Sequence, residues 1–63
     1  MATAKMCAGY KREKARAERN IENTEKLLNG TAISAIVRKS LRLNRESLQN
    51  AVKMYEQLLK DCG

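Results

Sequence analysis

The sequence specifies an all-α fold, an antiparallel two-helix hairpin, and three observations predict it. The 63 residues contain no proline. Their apolar side chains are chiefly Ala, Leu, Ile, Val and Met, without Phe or Trp, a mix that packs helices rather than sandwiches or barrels. A single helix-breaking segment, Asn29-Gly30-Thr31, divides the chain into two arms. Glycine takes the left-handed conformation that ends a helix, and the Thr31 hydroxyl can cap the next one. Residues 1–63 are therefore expected to form one helical-hairpin domain, with helix one at about 3–28, a turn at 29–31 and helix two at about 32–60.

Within the first arm, Tyr10, Ala17, Ile21, Thr24 and Leu28 recur at three- and four-residue spacing and make one narrow apolar stripe. Thr3 and Cys7 extend it if the helix begins upstream of Tyr10. Gly9 is the candidate break, because glycine inside a helix costs about 1 kcal/mol relative to alanine.

The second arm is broader. Its main stripe is Ile33, Val37, Leu41, Leu48, Ala51, Val52, Tyr55, Leu58 and Leu59, and Ile36, Leu43 and Met54 lie beside it. At about 100° per residue, the two sets together cover roughly half the circumference. A narrow stripe covers only part of so broad a face. Ile36, Leu43 and Met54 are thus expected at an oligomer interface, with a homodimeric four-helix bundle or a higher oligomer as the assembly. The alternative cover is the N-terminal segment 1–8, folded back so that Met6 shields the edge. Asn44 interrupts the main stripe, where it either fixes register in a seam or lies at the solvent boundary.

Thirteen Lys and Arg against seven Asp and Glu give a formal charge of +6, which favours anionic partners. The arrangement of the charge divides it into two groups. With a turn centred on Gly30, Glu18 would face Arg42 and Arg45, Glu22 would face Arg38 and Arg42, and Glu25 would face Arg38. Those arginines are expected to form inter-helix ion pairs. Arg12, Arg16 and Arg19 instead project opposite the stripe of helix one, and Lys5 and Lys26 extend the same ridge. An arginine presents a planar fork that binds phosphate oxygens bidentately. The competing reading of the ridge is a solvated helix exterior. Tyr10 and Tyr55, the only aromatics, fall near each other toward the open end. There they either stack on a base or close an aliphatic seam.

There is no histidine, which excludes a histidine general base. The glycines are scattered at 9, 30 and 63 and form no phosphate loop, and Asp61 is the single aspartate. No enzymatic activity, metal or cofactor is expected. Cys7 and Cys62 lack CxxC spacing and are expected as free thiols in a reducing cytoplasm. Segment 1–8 has no signal-peptide core, and no run of about 18 apolar residues is present to span a membrane.

These features point to a small basic binding protein that takes nucleic acid, RNA or DNA, along the arginine ridge as a homo-oligomer. Two other functions fit the same surfaces: a phage- or plasmid-type inhibitor that occupies another protein, or sequestration of a small anionic nucleotide. In size and layout the chain resembles the plasmid copy-number regulators of the Rop type, hairpins that dimerise into a bundle and bind RNA. The likeness is architectural and carries no functional position across. Helix two, apolar on one side and basic on the other, would also suit a membrane surface, but the complementary stripe of helix one and the turn argue for a hairpin.

Overall fold

A computed structural model describes residues 3–30 and 32–62, and among them the only regular elements are two helices, α1 (Ala4–Leu28) and α2 (Ala35–Lys60). They lie side by side in a rod of 46 × 14 × 12 Å. None of the described helices is long and apolar enough to cross a membrane.

The start of α1 follows from Thr3, whose hydroxyl accepts the Met6 N–H at 3.2 Å. That bond satisfies one of the donors a helix start leaves unpaired. The helix then runs through Gly9 without a break. A segment folded back over the hairpin edge is also ruled out from Ala4 onward, because Met6 belongs to α1 and is 47% exposed.

The connection differs from the expected three-residue turn. It spans residues 29–34, and Ser34 caps α2 by accepting the Val37 N–H at 3.3 Å. Thr31, the expected cap, lies outside the described residues. Gly30 is not left-handed; no described glycine has positive φ. Its role is close approach, since its N–H donates to the Leu27 carbonyl at 3.1 Å and a Cβ there would press on that oxygen. The Leu28 carbonyl at the end of α1 and the Gly30 carbonyl just beyond it are reached from α2. Arg38 donates from Nη1 to the Leu28 carbonyl at 2.7 Å and from Nη2 to the Gly30 carbonyl at 3.2 Å.

The longer connection moves the register by about one helical turn. Tyr10 packs beside Tyr55 with ring centroids 6.3 Å apart. Beyond them Cys7 is bonded to Cys62, which corrects the expectation of two free thiols. Cys7 continues the seam-facing stripe of α1, Cys62 lies in the turn just after α2, and the hairpin brings the two together with a Cα–Cα distance of 6.0 Å. That geometry lies within what a disulfide needs. The bond closes a loop whose ends are 55 residues apart in sequence, for which loop-closure entropy gives about 4 kcal/mol of stabilisation.

The seam itself is thin. Ala17, Thr24 and Leu28 are its buried residues, all on α1, and the Thr24 hydroxyl donates to the Asn20 carbonyl at 2.8 Å. On α2, Leu41, Leu48, Val52, Tyr55, Leu58 and Leu59 are only half-buried, and Asn44 is exposed. The chain exposes 5086 Å², whereas a compact monomer of 7.1 kDa exposes about 4,100 Å².

Candidate nucleic-acid interface

The N-terminal cap and the unbroken run through Gly9 make α1 a single rod, so residues spaced along it keep a fixed angular relation. Lys5, Arg12, Arg16, Arg19 and Lys26 are all exposed and fall within about 80° of arc; its centre is away from Ala17, Thr24 and Leu28, and Arg16 at its edge lines a groove with Glu13, Ala17 and Tyr55. From Lys5 to Lys26 the row extends about 31 Å. Asn23, also exposed, lies on the same arc between Arg19 and Lys26. Sequence reasoning named the cations and passed over Asn23, because an uncharged residue gives no signal in a search for charge.

Among the described residues, one salt bridge forms, between Lys26 and Glu22 at 3.8 Å. Both side chains are largely exposed, so the pair is weak. Lys5, Arg12, Arg16 and Arg19 make no ion pair among the described residues. Their guanidinium and ammonium donors face water.

The expected inter-helix pairs are absent among the described residues. Arg38 is occupied by the carbonyls of Leu28 and Gly30 rather than by Glu22 or Glu25. Arg42 and Arg45 do not reach Glu18 or Glu22. With the register moved by a turn, Glu18, Glu22 and Glu25 line a shallow groove with Ile21, Gln49 and Val52. This leaves an acidic strip on one flank of the seam.

The tyrosines are poorly placed for stacking on a base. Both are half-buried, and their rings meet each other at 37° between planes, the tilted arrangement common for packed aromatic pairs. They lie at the open end of the seam rather than on the ridge.

Ile36, Leu43 and Met54 are 81%, 60% and 50% exposed. By helical periodicity they occupy the flank of α2 opposite the acidic strip. Leu27 and Met6 of α1 are exposed as well, and the same periodicity places them toward that apolar flank. Its cost in water is part of the surface excess noted above.

No known protein family matches the chain, and no curated protein or solved structure matches it significantly. The layout-level resemblance to the Rop-type regulators therefore stands on size and helix count alone.

Proposed function

We propose that the protein is a non-enzymatic nucleic-acid-binding protein that acts as a homo-oligomer and holds phosphates along the outer ridge of α1. The observation that carries this reading is the row Lys5, Arg12, Arg16 and Arg19, exposed and free of ion pairs among the described residues. Arg42 and Arg45 are likewise without ion pairs among the described residues; what distinguishes this row is its alignment along one unbroken helix. Exposed arginines at three- and four-residue spacing repel one another by a few tenths of a kcal/mol per pair, and a polyanion relieves that repulsion.

Homo-oligomerisation is supported by area. The chain exposes about 1,000 Å² more than a compact monomer of its mass. Two copies that buried this excess through Ile36, Leu43 and Met54 would remove about 2,000 Å² in total, the scale of a stable interface. Arg16 borders the same flank, in a groove with Ala17, Leu48 and Tyr55, whereas Lys5, Arg12 and Arg19 lie farther round α1, so such a dimer leaves those three available on each copy.

The test of the ridge is Arg12→Glu combined with Arg16→Glu. Binding to a short duplex at low salt should fall by more than tenfold while the circular dichroism spectrum is unchanged. Unaltered affinity would sink the reading. For the assembly, sedimentation at micromolar concentration should give a dimer or larger species, and Ile36→Glu with Leu43→Glu should give a monomer. A wild-type monomer would remove the oligomer.

The inhibitor reading draws on the same apolar flank, with another protein in place of a second copy. Such a complex should resist salt, whereas phosphate binding weakens steeply with it. Nucleotide sequestration needs the tyrosines, which already satisfy each other. The cytoplasmic setting loses its footing in free thiols, since a Cys7–Cys62 bond persists in an oxidising compartment and is reduced in a reducing one. Ridge binding requires neither.

A further inference from the structure

The nucleic-acid reading leaves the form of the ligand open, and the shape of the ridge narrows it. Single strands are held in positively charged grooves whose aromatic side chains stack on successive bases. This ridge has the opposite shape: it is the convex exterior of a helix. The only two aromatics, Tyr10 and Tyr55, are half-buried against each other. Nothing on the α1 outer face offers a stacking platform.

A bare helix exterior fits a duplex groove. The major groove of B-form DNA is about 12 Å wide and admits an α-helix. The major groove of A-form RNA is too deep and narrow to be read by side chains. Along the outer arc of α1 stand Arg12, Arg16, Arg19 and Asn23, all exposed, with about 16 Å between the first and the last. Arginine pairs bidentately with guanine O6 and N7, and asparagine with adenine N6 and N7. A straight rod leaves the curving groove at both ends. Lys5 and Lys26 occupy those ends, where point charges suit the phosphates of the flanking strands. Two acids border this arc: Glu22 pairs with Lys26 at 3.8 Å and Glu13 shares a groove with Arg16, whereas Glu18 and Glu25 line the groove on the other flank of the seam.

We infer that the ligand of the ridge is B-form duplex DNA, with α1 lying in the major groove, Arg12, Arg16, Arg19 and Asn23 toward the base edges, and Lys5 and Lys26 on the backbone. The inference rests on the nucleic-acid reading above and commits it to one form of ligand.

The experiment measures anisotropy of labelled 16-mers at 50 and 200 mM salt with the disulfide-intact protein. The probes are a mixed-sequence duplex DNA, the same sequence as duplex RNA, and one strand alone. Duplex DNA should bind at least tenfold tighter than the other two at 50 mM salt. With Lys5 and Lys26 on phosphates, its affinity should fall by about 12-fold between the two salts, and by about 3.5-fold in Lys5→Ala. Asn23→Ala should lose about tenfold on duplexes containing adenine and keep the wild-type salt slope. Equal or tighter binding of duplex RNA or of the single strand overturns major-groove docking while the nucleic-acid reading stands. So does an Asn23→Ala variant that binds like wild type. If none of the three probes binds at 50 mM salt, the nucleic-acid reading fails and this inference fails with it.

Discussion

The last carbonyls of a helix have no intrahelical donor, and at the end of α1 the donor comes from across the hairpin. Arg38 bridges the carbonyls of Leu28 and Gly30, which ties the exit of α1 to the first turn of α2. Charged hydrogen bonds of this kind contribute about 1.5–3 kcal/mol in favourable surroundings, less where exposed. Arg38→Ala is expected to cost about 1.5 kcal/mol in all, lowering the melting temperature by about 10 °C. Arg38→Lys keeps the charge but loses the planar fork, so it should recover at most half. A thermal melt of the two variants checks this: if Arg38→Ala melts with wild type, the bridge contributes nothing. The sequence named Arg38 as structural and gave it the wrong partner. A side-chain bond to a backbone carbonyl leaves no mark in the pattern of charges, whereas Glu22 and Glu25 advertise themselves as acceptors.

At the scale of the helices, periodicity revealed both rods and most of the seam. Ala17, Thr24 and Leu28 were on the stripe and are the residues buried. Gly9 was harder to read. Propensity marks it as a break, but the Thr3 cap and the Cys7 bond before it and the Tyr10–Tyr55 contact after it hold the chain helical on both sides. A methyl group at Gly9 would meet open space, so Gly9→Ala should stabilise α1 by about 0.5–1 kcal/mol through the lower entropy of the unfolded chain. Urea unfolding measures it as a higher midpoint at unchanged slope, and a lower midpoint would show that the helix needs glycine there. The register was less legible than the rods. Nothing in Asn29-Gly30-Thr31 says that Ala32 and Ile33 stay outside α2 until Ser34 caps it. That displacement moved every expected cross-seam ion pair by a turn while leaving the outer ridge unchanged, because residues opposite the seam depend only on their own helix.

For the molecule as a whole, the seam is too thin to carry stability alone. A single core in a chain below about 70 residues rarely supplies more than 3–5 kcal/mol, and here no described large side chain is fully buried. The Cys7–Cys62 bond, with its long loop, contributes an amount of the same size. Cys7→Ser should therefore destabilise the protein by about 4 kcal/mol and make its helicity depend on protein concentration, since assembly then becomes the remaining source of burial. Circular dichroism melts over a hundredfold range of concentration test this, and a variant that melts like wild type would show that the bond constrains nothing. The same bond has a topological consequence. With the open end shut at 7 and 62, the backbone between them forms a ring, and residues 29–34 are merely one arc of it. A protease that cut this arc would leave two helices still covalently joined, side by side, until a reductant released them. The natural turn is thus dispensable for keeping the arms together, and a short peptide link across residues 7 and 62 would let the chain begin and end at what is now its bend.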